Sequence, residues 1–259
     1  MSNGFDGQKY EKSSSHQKEW GERLIKEIDL KGTEHILDLG CGNGLITKAL
    51  AERVPEGSVV GVDSSSSMLE RARFHQLDNM EFRLLDISDI IFDREFDIVF
   101  SNAAMHWVRD HGNVLRKIYA SLKSGGIMRM QFAGEGNCPT LSKVLEESMS
   151  SAAFEQLFQD FEWPWYMPDA NSYEDMLSSA GFMKYRVWME DADRNFQDDQ
   201  SFVGWIEQPS LVPFMNALPE ESYALFRDTV IEKTKAAALQ ADGTYFEAFR
   251  RINVFAVKE

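Results

Sequence analysis

Between Ile36 and Gly44 the chain reads Ile-Leu-Asp-Leu-Gly-Cys-Gly-Asn-Gly, an apolar run closed by glycines at alternate positions. Leu45, Ala49 and Leu50 then continue at helical spacing. Glycines at such a strand-to-helix turn permit positive φ and let backbone approach a ligand closely. The helix start beyond them offers free N–H groups and partial positive charge. A dinucleotide turn needs G-x-G-x-x-G, whose third glycine brings helix and strand together. Here the spacing is G-x-G-x-G, Leu45 stands in that place, and Asp38 lies two residues before Gly40. A carboxylate there suits a ligand with a cationic end better than a pyrophosphate.

Further polar residues close the next apolar runs. Asp63 follows 58–62, Asp86 follows 81–85, and Ser101-Asn102 follows 96–100. Asp63 lies about twenty residues past the glycine turn, where a carboxylate can accept hydrogen bonds from ribose hydroxyls. Asp86 is placed to accept from an exocyclic adenine amine. His106-Trp107 comes next, and two roles stay open for the imidazole: a general base or hydrogen-bond donor, or packing. An acceptor that is already ionised at pH 7, such as a carboxylate, needs no base. His16, His35, His75 and His111 show no metal-ligand spacing, and no metal is expected.

These residues require a scaffold of alternating strands and helices. Trp20, Leu24 and Ile28 recur every four residues and predict an amphipathic helix ending near Asp29, with Ser14 and Gln17 in capping-box spacing. Strands are predicted at 34–39, 58–62, 81–85, 96–100 and 127–132, and helices at 44–53, after the N-cap candidates Ser64–Ser67 (Ser67 with Glu70 in capping-box spacing), and at 111–123. Val114, Leu115, Ile118 and Leu122 form the apolar stripe of the last of these. That alternation implies a mostly parallel, doubly wound sheet with right-handed crossovers. Beyond 133 the pattern changes to helices at 141–159, 171–180, 198–208 and 219–240, an aromatic loop at 161–166, and strands at 183–190 and 244–257. One domain over 1–259 is expected, with a core near 30–135 and cap elements near 8–30, 137–168 and 195–240.

The chain has 259 residues and a net charge of −15, which disfavours nucleic acid and anionic membranes as partners. Cys41 and Cys138 make neither a metal spacing nor a disulfide framework. No apolar segment reads as a leader or a membrane span, so a reducing cytoplasm is the expected location.

The pattern Asp38-x-Gly40-x-Gly42-x-Gly44 resembles the first motif of class I S-adenosylmethionine-dependent methyltransferases. Gly61-Val62-Asp63-Ser64 with Met68, Leu85-Asp86-Ile87, Phe96-Asp97-Ile98-Val99 and Leu122-Lys123-Ser124-Gly125-Gly126 match the same family in order and spacing. Ser101-Asn102-Ala103-Ala104-Met105-His106-Trp107, with Tyr10, Gln17 and Trp165-Tyr166-Met167-Pro168, is similar to the trans-aconitate methyltransferase group. The resemblance implies a seven-stranded Rossmann-like sheet under a helical cap and S-adenosylmethionine as cofactor. It implies a cofactor site of Asp38, Gly40, Cys41, Gly42, Gly44, Asp63, Ser64, Met68, Asp86, Ile87 and Asn102. On the acceptor side it implies His106 together with Tyr10, Gln17, Trp107, Trp165 and Tyr166, with Trp163 as a further candidate pocket wall. The expected acceptor is a small molecule, with a carboxylate ahead of C- or N-methylation of an apolar metabolite. A cofactor-binding protein without turnover is the alternative from another class. An NAD-dependent oxidoreductase is disfavoured by Leu45, Asp38 and Asp86.

Overall fold

A computed structural model describes residues 15–259. Those residues divide into two compact units: Ser15–Glu135 with Trp165–Glu190 and Arg251–Glu259, and Gly136–Pro164 with Asp191–Arg250.

The larger unit is built on a seven-stranded sheet. In chain order its elements are α1 (Ser15–Lys26), β1 (His35–Leu39), α2 (Leu45–Ala51), β2 (Ser58–Asp63), α3 (Ser66–Ala72), β3 (Met80–Leu84), β4 (Phe96–Asn102), α4 (His111–Ser121) and β5 (Leu122–Ala133). The smaller unit contributes α5 (Pro139–Met149) before the chain returns with α6 (Ala170–Ser179) and β6 (Lys184–Asp191). The strand order is β3-β2-β1-β4-β5-β9-β6, where β9 is Arg250–Val257. β1 through β5 pair in parallel, and β9 runs antiparallel to β5. The strand order reverses between β1 and β4, so the crevice at their C-terminal ends is where such a sheet receives a ligand.

Both faces of the sheet are covered, which explains why the strands read as unbroken apolar runs. On one face Leu24, Ile25 and Ile28 from α1 and the turn after it pack with Leu50, Ile36, Ile98 and Phe100. On the other, Val114, Leu115 and Ile118 of α4 and Tyr173 and Leu177 of α6 cover Leu37, Val99, Met128, Met130 and Ile252. The starts of α4 and α6 are capped by short polar side chains, which satisfy orphan amides. Asp110 accepts from Asn113 N at 2.9 Å before α4, and Asp169 accepts from Ser172 N at 3.0 Å before α6. Gly181 follows α6 at φ +105°, the left-handed conformation in which a glycine ends a helix.

The smaller unit holds α5, a two-stranded antiparallel sheet of β7 (Arg194–Phe196) and β8 (Tyr245–Glu247), α7 (Asp199–Trp205), α8 (Val212–Asn216) and α9 (Tyr223–Ala238). Phe202 stacks on Tyr245 with centroids 4.7 Å apart, and Phe154 and Phe158 pack edge-on or tilted against Phe226.

Several boundaries differ from expectation for local reasons. The helix expected over 141–159 stops at Met149, where Ser151 Oγ donates to Ser148 O at 2.7 Å and diverts the backbone into turns. Of the cap candidates Ser64–Ser67, Ser65 caps α3, its Oγ accepting from Met68 N at 3.3 Å; the Ser67–Glu70 spacing does not mark the helix start. The helix predicted over 198–208 leaves α geometry after Trp205; Gln208 takes φ −138° and Pro209 has no N–H to give. The single strand predicted over 244–257 is two, because Phe249 turns away to pair with Ala192 and Asp193. Helix α1, expected among the cap elements, lies within the larger unit, and the Ser14 cap falls outside the described residues.

Candidate functional site

The glycine turn joins β1 to α2. Gly40 N and Cys41 N both donate to Val62 O, at 2.9 and 3.0 Å, which ties the turn to the end of β2. Gly40, Gly42 and Gly44 have φ of +71°, +54° and +78°. Their reasons for being glycine differ. A Cβ on Gly40 would lie 2.2 Å from Ala104 Cβ, and one on Gly44 would lie 2.8 Å from both Ala72 Cβ and Phe82 Cζ. Among the described residues, a Cβ on Gly42 would meet nothing within 4 Å. So the outer two glycines serve close packing, while the middle one presents bare backbone to open space. Cys41 is buried beside them, and burial pushes its thiol well above the usual range, so it is no nucleophile.

Three carboxylates stand on successive strand ends. Asp38 is 2% exposed and accepts from Thr47 Oγ1 at 2.7 Å. Burial raises its pKa from 3.8 to about 7, Thr47 opposes the rise, and the Asp63 charge adds to it. Asp63 accepts from Gly42 N at 2.9 Å through one oxygen and from Ser65 N at 2.8 Å through the other. Burial raises its pKa too, against those two amides. Each of its oxygens keeps a lone pair for a ligand hydroxyl. Asp86 is exposed, and its Oδ1 accepts from Ser88 N at 2.7 Å. Ser64 is exposed, whereas Met68 and Ile87 are buried. Asn102 ends β4 beside α1, its Nδ2 only 3.0 Å from where a Cβ on Gly21 would stand.

After β4 the chain takes an uncommon course. Ala103 has φ +56°, a conformation that strains a residue with a Cβ, and its N–H donates to Gln131 O at 2.7 Å. Met105–Trp107 then form one 3₁₀ turn carrying His106. His106 Nδ1 is buried and has no hydrogen-bond partner among the described residues. Burial, then the Arg251 charge, then His111 hold its pKa well below the usual imidazole value. His111, given no role from sequence, anchors this turn. Its Nε2 lies 2.9 Å from Met105 O, a pure acceptor, so Nε2 carries the proton and Nδ1 accepts from Tyr173 OH at 3.2 Å. Burial lowers its pKa to about 4.

The aromatic cluster divides. Tyr166 N donates to His106 O at 3.0 Å, and Trp165 meets Trp107 edge-on at 5.9 Å. Trp163 lies in the smaller unit, against Phe214 at 5.4 Å. Tyr10 and the Gln17 side chain lie outside what is described.

Sequence reading missed Gln131, Arg251 and Trp20. Gln131 on β5 is opposite Asn102 on β4 and Asn253 on β9, and Arg251, two residues from Asn253, lies on the same face opposite Ala133. The available signal was polarity inside otherwise apolar strands, in Met130-Gln131-Phe132 and Phe249-Arg250-Arg251-Ile252.

Residues 30–181 match a family described as a methyltransferase domain. The chain belongs to the class I S-adenosylmethionine-dependent methyltransferases. This methyltransferase is 31% identical over 236 residues to a trans-aconitate 2-methyltransferase of Mycolicibacterium gilvum, covering 90% of this chain and 91% of that one. It is 28% identical over 257 residues to a trans-aconitate 2-methyltransferase of Acidovorax sp., covering 97% of each. A solved phosphoethanolamine N-methyltransferase 2 from Haemonchus contortus, in complex with S-adenosyl-L-methionine, shares the fold at TM-score 0.61 and 20% identity, covering 97% of this chain and 56% of that one. The cofactor of this methyltransferase is S-adenosylmethionine. The strand ends fit it on their own terms: open space at Gly42 and a fixed Asp63 carboxylate with spare lone pairs.

Proposed function

We propose that this methyltransferase esterifies a carboxylate of a small molecule. The observation that carries the reading is the state of His106. It is the imidazole nearest the end of β4, and its protonated form is opposed by burial, by Arg251 and by His111. An efficient general base has a pKa near the working pH, and His106 is a poor proton acceptor by that measure. A carboxylate ionises near pH 4 and has no proton to lose at pH 7. Orientation alone then lowers much of the barrier. The trans-aconitate 2-methyltransferase name of the relatives agrees with this class of acceptor.

The residue roles follow the same logic. Asp38 faces the cofactor's ammonium, the Gly40–Gly44 turn with Cys41 lies beside its methionyl part, and Asp63 with Ser64 holds the ribose hydroxyls. Met68, Asp86 and Ile87 surround the adenine, and Asn102 closes the end of β4. His106, Trp107, Trp165 and Tyr166 form the acceptor side. Bound S-adenosylmethionine supplies an electrophilic methyl group on a sulfonium centre. The chain's own part is to hold the acceptor oxygen in line and keep water away.

The test is a pH–rate profile at saturating cofactor for the wild type and His106→Ala. The expected wild-type rate is flat between about pH 6 and 8, with the His106→Ala loss appearing in acceptor KM. A rate that rises through an imidazole-like pKa, with the rise abolished in the variant, would replace the carboxylate by an acceptor that must lose a proton.

A further inference from the structure

A threonine within a helix commonly satisfies its hydroxyl on a carbonyl of the preceding turn. Thr229 and Thr234 of α9 do so, donating to Leu225 O and Val230 O at 2.7 Å. Thr47, in the first turn of α2, points elsewhere. It is fully buried, and its Oγ1 donates to Asp38 Oδ2 at 2.7 Å, from the far side of the glycine turn. The turn has its own closure, since Gly40 N and Cys41 N both donate to Val62 O. The Thr47 hydroxyl is therefore spent on the carboxyl and not on holding the backbone.

The surroundings of Asp38 otherwise oppose its charge. Burial penalises the ionised form and Asp63, on β2, repels it. The Cys41 thiol beside it is kept protonated by burial and brings no cation. Gly61 and Phe100, opposite Asp38 on β2 and β4, bring no charge either. Of the groups that act on this carboxyl, Thr47 is the one that favours the charged form. It engages Oδ2 only, and a carboxylate accepts through both oxygens, so Oδ1 is left for a ligand.

We propose that Thr47 is a positioning residue for the cofactor: its hydroxyl orients the Asp38 carboxyl and favours its charged form, so that the other oxygen receives the ammonium of S-adenosylmethionine. The inference rests on the contact between Asp38 and the ammonium proposed above. A neutral carboxyl offers an ammonium no counter-charge, so cofactor affinity follows the ionised fraction of Asp38. Thr47 thereby lowers the pH at which the site becomes competent. A hydrogen bond to a buried charged group changes such an equilibrium roughly ten- to hundredfold, so losing the hydroxyl moves the affinity curve upward by roughly one to two pH units.

The experiment is calorimetric titration with S-adenosylhomocysteine from about pH 5.5 to about pH 8.5, on the wild type, Thr47→Val, Thr47→Ser and Asp38→Asn. Valine keeps the shape of threonine and lacks the hydroxyl. Thr47→Val is expected to bind roughly ten- to hundredfold more weakly at about pH 6, with the gap closing as the pH rises. At about pH 7.5 it should release more protons per ligand bound than the wild type. Thr47→Ser should restore the wild-type curve. The ligand's own amino group titrates alike in every variant and cancels from the ratio. Thr47→Ala also lacks the hydroxyl, and it carries the test if Thr47→Val does not fold. A purely structural role would cost the same factor at every pH. That outcome, or no loss at all, or a Thr47→Ser curve that stays with Thr47→Val, overturns the inference and leaves the Asp38 contact standing. Wild-type affinity independent of pH, or full affinity in Asp38→Asn, overturns that contact itself and the inference with it.

Discussion

The buried Asp38 carboxyl makes a prediction whose size follows from its surroundings. Its pKa is raised from 3.8 to about 7, chiefly by burial. A carboxyl whose folded-state pKa is raised binds its proton more tightly when folded. Its contribution is therefore neutral below pH 4 and becomes destabilising as the pH climbs toward 7. Above 7 the cost is constant, about 3 pK units at 1.36 kcal/mol each, or about 4 kcal/mol. Asp38→Asn keeps an oxygen for Thr47 Oγ1 and removes the titration. Without cofactor, the variant should melt several degrees above the wild type at pH 7.5 and gain little at pH 4.5. Cofactor binding runs the other way. Pairing with the α-ammonium needs the ionised carboxylate, so S-adenosylhomocysteine should bind the wild type up to tenfold tighter per pH unit from 5.5 to 7, then level off. The ligand's own amino group stays protonated over that range. Asp63, also raised by burial, accounts for any slope left in Asp38→Asn. The assay is calorimetry in buffers of different ionisation enthalpy, which counts released protons. Wild-type affinity flat from pH 5.5 to 7 with no proton release, or full affinity in Asp38→Asn, would refute the pairing.

Other substitutions separate packing from ligand contact. Asp63→Ala should weaken S-adenosylhomocysteine binding roughly ten- to hundredfold with the fold intact, as calorimetry would show. Gly40→Ala should lower the melting temperature sharply, because its Cβ would fall 2.2 Å from Ala104 Cβ. Gly42→Ala should cost only about 1–2 kcal/mol for the positive φ. Its damage should appear in cofactor affinity, since its Cβ meets nothing within 4 Å among the described residues. Equal effects of the two glycine variants on stability would contradict the open-space argument.

What sequence made legible is what local chemistry controls. The Asp38–Gly44 turn and the acids at 63 and 86 are short-range patterns and stand at the strand ends assigned to them, and Val114, Leu115 and Ile118 lie on α4 as expected, while Leu122 already belongs to β5, which starts earlier than the expected 127. Arg251 was not legible. It reaches the strand ends only because β9 inserts antiparallel between β5 and β6, a pairing 120 residues apart in sequence from Gln131. Ala103 was hidden for another reason: nothing in an alanine announces φ +56°. Trp163 and Trp165 read as one aromatic wall, yet Pro164 lies between two residues that belong to different units. His111 looked idle because its partners, Met105 O and Tyr173, come together only when α6 covers α4.

The central claim concerns the atom that receives the methyl group, and the chemistry of the product decides it. Label transferred from S-adenosylmethionine to a carboxylate forms a methyl ester, which mild alkali hydrolyses to volatile labelled methanol. The expected result is transfer to a small carboxylic acid with the label fully released by alkali. Label that survives alkali, fixed on nitrogen or carbon, would contradict it.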